Sequence, residues 1–242
     1  MIWFVIGISL FISGCPFKSG VERKAWFRYA SQYDQVWSEA IANDVAKKGN
    51  DIQLITKMDK FKHKYLQSIQ PTETEIISVL RSPNRRFQKI ALAAMSLKPI
   101  ETDQLTDILF EFLRDQEPEF RRYAMISLDE FTKFPESKKA DLGKQLLEII
   151  KKEKDDALPL FEQFNLLVRF QPEGTAKFLT ELVMKEGKEK SIPLFRNLAL
   201  RALKEMGDSY YDEAAEYVNK HGSTEIKKEL LDFENYWKTE KE

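Results

Sequence analysis

The chain has a single cysteine, Cys15, in 242 residues. A disulfide within the monomer is therefore excluded, and so is a zinc site built from several thiolates. The fold must hold by packing alone. Glycine and proline are scarce, nine of each, and turn-rich β-sandwiches and dinucleotide-binding folds use more glycine than that. Neither charge sign is in excess: 38 Lys+Arg stand against 39 Asp+Glu. That balance argues against a nucleic-acid partner, whose phosphates need a basic surface, and against a polybasic pull toward anionic lipid. Catalytic signatures are missing too. No GxSxG, GxxxxGKS/T or GxGxxG occurs, and the two histidines, His63 and His221, have no partner at metal-ligand spacing. His63, inside Lys-Phe-Lys-His-Lys, reads as part of a solvated helix face. Asp155 and Asp156 are too few ligands for calcium and read as acids at a helix N-terminus. The expectation is no enzyme, no cofactor and no metal.

What is present is helical patterning. Charged residues at 32% beside 43% hydrophobic point to amphipathic helices with solvated outer faces. The first segment differs. Met1 to Ile12 reads MIWFVIGISLFI, apolar apart from Ser9. The apolar run ends before Cys15, short of the about 20 residues that span a bilayer, and it has the length of a signal-peptide core. It closes on Ile12-Ser13-Gly14-Cys15. This resembles the bacterial lipoprotein signal: an aliphatic residue, two small residues and a cysteine. Small residues let a peptidase reach the bond before Cys15, and the thiol accepts a diacylglyceryl group. Two or three acyl chains anchor stably where one is marginal. One departure stands out, since the first basic residue, Lys18, follows the cysteine. Either the α-amino group alone serves as the positive end, or the start is misplaced. Pro16 stands where Asp would mark inner-membrane retention, which leans toward the outer membrane. The resemblance thus implies a chain on the exported face of the cell membrane or outer membrane, held by lipid on Cys15. The tether PFKSGV keeps the first helix within roughly 20 Å of that membrane.

From residue 72 onward the sequence repeats. At an offset of 33, Leu80-Arg81 recurs as Leu113-Arg114, Phe87 meets Phe120 and Ala91 meets Ala124. An offset of 34 maps Pro159-Leu160-Phe161 onto Pro193-Leu194-Phe195, and an offset of 41 joins Pro118 to Pro159 and Tyr123 to Phe164. Periods of this size signal stacked supersecondary units. Each unit reads as two helices. First helices are expected near 72–81, 101–114, 137–152 and 173–187. Their partners are expected near 83–97, 118–133, 156–169 and 192–206. Pro83, Pro118, Pro159 and Pro193 stand in or near the first turn of the partners, where a missing N–H costs nothing. Ser82 and Ser191 read as N-caps, and Gly207 and Gly222 as C-terminal stops. Further helix pairs are expected near 20–48 and 51–69, and near 211–221 and 224–239.

The units resemble HEAT repeats. The pattern is an apolar residue, Arg, two variable positions and Ala, with an acid in the preceding turn. The apolar position holds Phe87, Phe120, Phe161 and Phe195. The Arg position holds Gln88, Arg121, Glu162 and Arg196, and the Ala position Ala91, Ala124, Asn165 and Ala199. The turn acid appears as Asp115 and Asp156, with Ser82 and Lys190 in the outer units. The resemblance covers roughly residues 72–206 and implies an all-α fold, an α-α superhelix of stacked helix pairs. Asn165 breaks the small-residue rule. Either the third unit is shifted by a residue, leaving Asn165 partly exposed, or a polar contact sits inside the groove. The expected organisation is a signal peptide over 1–14, a lipidated tether over 15–21 and a capping helical pair over 22–70. Four HEAT-like repeats follow over 71–207, and a C-terminal helical cap over 208–242.

The same resemblance implies that second helices line a concave face. Lys89, Arg121, Arg122, Glu162, Arg196 and Arg201 are then candidates for contact with a partner. For Arg121 and Arg196 the alternative is a polar ladder between neighbouring units. Trp26, Tyr29, Tyr33 and Trp37 form one aromatic stripe at helical spacing. It either closes the core or, Trp26 and Trp37 above all, faces a half-wet surface. Phe233, Tyr236 and Trp237 form a smaller set that reads as a packed cap. The leading expectation is a non-catalytic scaffold or adaptor binding a protein partner of the cell envelope. One alternative is a structural envelope protein touching lipid or cell-wall polymer through the stripe. An enzyme or cofactor-handling protein working in the groove would need a deep pocket around paired carboxylates.

Overall fold

Side chains close the N-terminal ends of several helices, and this sets where those begin. The computed structural model describes residues 20–42, 60, 62–65, 70–152, 160–187 and 192–239. Among the described residues every regular element is helical and no strand occurs. A 3-10 turn, Gly20–Arg23, leads into α1, Ala25–Ala42. The next helix, α2 (Glu73–Leu80), opens on a capping box: Thr72 accepts from the Glu75 N–H, and the Glu75 carboxylate accepts from the Thr72 N–H. Its partner α3 (Arg85–Leu97) is capped by Asn84, not by Ser82 as the sequence reading had it. Asn84 places its side-chain oxygen on the Phe87 N–H at 3.3 Å. Thr102 caps α4 (Asp103–Phe112), and Pro118 is the first residue of α5 (Pro118–Asp129). Then come α6 (Glu136–Lys152), α7 (Leu160–Phe170), α8 (Thr175–Val183), α9 (Ile192–Met206), α10 (Asp208–His221) and α11 (Thr224–Thr239). Pro159 and Ser191 lie outside the described residues, as does most of the helical pair expected over 20–69.

Two glycines end helices for different reasons. Gly207, between α9 and α10, sits at φ +144, where a side chain is strained. Gly222 after α10 has an ordinary φ of −70. There a Cβ would lie 2.7 Å from the Val218 carbonyl oxygen, so close approach rather than backbone freedom calls for glycine.

The second helices pack in one row. The second helix of each pair touches the second helix of the next: α3 packs on α5, α5 on α7, α7 on α9 and α9 on α11. The α1 helix joins this row ahead of α3. Each first helix packs on its own partner, α2 on α3 through α10 on α11. One continuous apolar core runs through the helices, from Trp26 and Phe27 to Leu230 and Phe233. In α3 every residue from Ile90 to Leu97 is buried, because α1, α2 and α5 cover it on three sides.

Polar ties join neighbouring pairs at a nearly constant separation. Arg81 bonds Glu111 at 2.9 Å, Arg114 bonds Gln145 at 2.7 Å and Lys138 bonds Asp107 at 2.9 Å. Arg85 reaches Asp115 at 2.7 Å and Glu117 at 2.9 Å while lying 3.7 Å over the Phe120 ring. These partners are 30 to 32 residues apart. The third pair departs from the sequence alignment. Phe161, matched above to buried Phe120, is 55% exposed, whereas Gln163 and Phe164 are buried. The apolar face of α7 therefore starts a residue or two later than the 41-residue offset placed it. Asn165 is exposed and gives its amide to Asp129 at 3.1 Å.

Candidate functional site

The row of second helices carries most of the charged residues singled out above. At its start, α1, α3 and α5 share a polar cluster. Asp34 of α1 lies 3.3 Å from the Lys89 ammonium and accepts the Tyr123 hydroxyl at 3.0 Å. Lys89 also donates to Glu119 at 2.8 Å. Burial raises the Asp34 carboxyl, and Lys89 and Tyr123 oppose that shift. Burial works against the Lys89 charge as well, but Glu119 and Asp34 outweigh it and raise its pKa. The lysine serves two acids, and Asp34 is the more enclosed of them, so the cost of burial falls on Asp34. Lys89 thus locks α1 onto α3 and α5, and it is not the free cation that a partner site requires.

Arg196 is likewise internal. It is 3% exposed. Its Nε and Nη2 donate to the Lys185 carbonyl at 3.1 and 2.8 Å, and its Nη1 donates to Glu229 at 2.8 Å. One guanidinium thereby joins the segment after α8, helix α9 and helix α11. Arg121, also buried, donates to the carbonyls of Asp115 and Gln116 at 2.8 and 3.0 Å. Arg196 ties its own pair to the next one through Glu229, whereas these bonds of Arg121 stay in the turn of its own pair; both are buried, and Arg196 is removed from the partner-binding set. Arg122 remains half-exposed, with no hydrogen bond or ion pair among the described residues. Arg201 is exposed and pairs with Glu205 one turn on, at 2.7 Å.

The aromatic stripe turns inward. Trp26 is 2% exposed and stacks edge-on with Phe27, which meets Phe87 in the same way. Trp37 is half-buried against the core and stacks on Tyr33. Trp26 therefore cannot touch a membrane or a partner without unfolding α1, and the stripe closes the core. At the other end, Phe233 is buried and stacked on Trp237, but Tyr236 is 57% exposed, so that set is only partly a packed cap. Cys15, Ile12, Ser13, Gly14, Asp155 and Asp156 lie outside the described residues. No described helix is long and apolar enough to cross a membrane.

Carboxylates gather where α5 meets α7. Burial raises the pKa of Asp129, against the pull of Asn165 and Arg169. Burial also raises Glu162, with Asp129 and Glu130 adding repulsion. Arg169 caps the C-terminal end of α5, donating to the carbonyls of Asp129 and Phe131. Among the described residues no group of His, Cys, Asp or Glu is placed to hold a metal ion.

Three open grooves stand out on this surface. One, of about 550 Å³, runs between α8 and α10 and exposes Tyr210 and Tyr217, the latter 4.6 Å from the His221 ring. Another, of about 570 Å³, lies between α6 and the 170–174 turn. The third is smaller, about 220 Å³, between α9 and α11 on the second-helix row. Sequence reasoning found none of them. Each is the gap between two helices whose spacing depends on tertiary packing. Comparison with known protein families, with curated proteins and with solved structures finds no match for this chain.

Proposed function

We propose that the chain is a lipid-anchored envelope protein, non-catalytic, whose stacked helix pairs form a HEAT-like solenoid and bind a protein partner through the second-helix face. The observation that carries this reading is the chain-order packing of α1, α3, α5, α7, α9 and α11 in one row. Stacked repeats build extended faces of this kind, and such faces serve partner binding more often than chemistry. The recurrence of polar ties 30 to 32 residues apart supports the same reading. The far side of α11 is mostly polar, with Thr224, Lys228, Asn235 and Lys238 exposed around one exposed apolar residue, Leu231. Anchoring rests on Ile12-Ser13-Gly14-Cys15. Arg122 and Arg201 are the members of the sequence-derived set that stay accessible.

Two measurements test it. Cys15→Ala should abolish acylation and move the protein out of the membrane fraction; continued membrane partitioning of an uncleaved chain would sink the lipid anchor. A photo-crosslinker at position 122 should give a protein adduct in envelope extracts that Arg201→Glu abolishes, and one at position 201 an adduct that Arg122→Glu abolishes. Adducts that survive both charge reversals, or none at all, would remove the partner reading.

A further inference from the structure

Along the first helices, side chains of successive pairs bond one another where α2 meets α4 and where α4 meets α6, through Arg81 with Glu111 and Lys138 with Asp107. Where α8 meets α10 that ladder stays open, and the groove of about 550 Å³ lies between the two helices. Lys177 and Glu181 of α8 line it opposite Glu213, Glu216 and Lys220 of α10, and all five are exposed. None of the five makes a hydrogen bond or an ion pair among the described residues. Free donors therefore stand beside free acceptors, with little net charge between them. The inner lining is small, Ala176, Thr180 and Ala214, which leaves room for a molecule to lie along the helices. The volume falls inside the roughly 300–1,000 Å³ of small-molecule sites.

Two tyrosines of α10 add a second, independent feature. Tyr210 and Tyr217 line the same groove and are 40% and 50% exposed. They are seven residues apart, which is two turns of helix, and they point within about 20° of each other. The His221 ring lies 4.6 Å from that of Tyr217 and restricts its swing. The groove thus presents two aromatic platforms in line, rimmed by unpaired groups of both signs.

We propose that this groove binds a β-1,4-linked oligosaccharide. The site lies on first helices, apart from the second-helix face, and it needs no protein partner. A β-1,4-linked ring advances its chain by about one turn of α-helix. Successive rings alternate in facing, so every second ring shows the same face, and two such rings meet Tyr210 and Tyr217 together. The C–H face of a sugar is apolar and packs on a tyrosine ring. Its hydroxyls donate and accept, so they satisfy the glutamates and the lysines at once. A strongly ionic ligand would be opposed by one sign of the rim, and an α-1,4-linked chain curls away from a straight helix.

The test is a calorimetric titration of the full chain with cellotetraose and with N-acetylated chitotetraose; maltotetraose is the curled control. At least one of the β-linked sugars should bind saturably, and maltotetraose should not. Tyr217→Ala and Tyr210→Ala should each weaken binding by about tenfold, while Tyr217→Phe, which keeps the ring, should stay within about twofold of wild type. No saturable heat with either β-linked sugar, or equal binding of maltotetraose, would overturn the proposal. So would unchanged binding in both alanine variants, or a loss in Tyr217→Phe as large as in Tyr217→Ala. A photo-crosslinker at position 213 that gives a protein adduct undisturbed by excess tetrasaccharide would assign the groove to a protein, which also overturns it. Crosslinks from positions 122 and 201 report on the other face, so either reading can fail without the other.

Discussion

Replacing Arg196 with methionine should destabilise the chain by about 3 kcal/mol. Methionine fills much of the same space, so the loss isolates the polar contacts from any cavity. Three hydrogen bonds disappear, two to the Lys185 carbonyl and one to Glu229. Hydrogen bonds from charged donors contribute about 1.5–3 kcal/mol each when enclosed. The outer side of this network is wet: Lys185 is exposed and the Glu229 side chain is 26% exposed. Water can therefore recover part of the carbonyl bonding, which places the total at the low end of the about 3–5 kcal/mol seen when a buried pair loses one member. Glu229 supplies most of what remains, because without Arg196 both its oxygens lack a described donor. Urea unfolding of wild type, Arg196→Met, Glu229→Gln and the double variant completes the cycle. The pair should couple by about 1.5 kcal/mol, so the double variant loses less than the sum. Hydrogen exchange should show protection falling first in α10 and α11, since stacked units depend on their neighbours. A cost below about 1 kcal/mol, or loss of protection centred on α3 and α5, would refute the claim that this guanidinium holds the C-terminal pair.

Other perturbations probe other parts. Trp26→Ala should cost about 4 kcal/mol in thermal or urea unfolding, as for a fully buried aromatic; a near-neutral result with altered membrane binding would restore the surface role of the stripe. Glu162→Gln should raise Tm at pH 7. The folded-state pKa of Glu162 is raised by burial and then by Asp129 and Glu130, so ionisation as pH rises through that value destabilises the fold. The advantage of glutamine should shrink as pH falls into the ordinary carboxylate range, and a gap that widens there would show the sign to be wrong. Gln171 is a non-glycine residue at φ +43. Gln171→Val should cost about 1.5 kcal/mol while Gln171→Gly stays near neutral, because strain relief and added chain entropy offset each other; equal effects would mean the turn relaxes.

The helices were legible because their cause is local. Apolar residues at three- and four-residue spacing mark α5 and α9 without any partner in view, and Pro118 stands where a missing N–H is harmless. The caps Thr72 and Thr102 were not singled out from the sequence, although their chemistry is confined to four residues. The roles of individual polar groups were not legible in the same way. Lys89, Arg122 and Arg201 look alike along the chain. Lys89 is locked because α1 brings Asp34 beside it from 55 residues away and α5 brings Glu119, whereas Arg122 meets no such acid among the described residues. A shift of a residue or two in helix phase likewise turned Phe161 outward and Gln163 inward, and Asn165 at the small-residue position was its one sign in the sequence. Periodicity specifies which residues share a face. The element that arrives against that face, and at what height, is set by long-range packing, and this decides which charges are paired and which remain open to a partner.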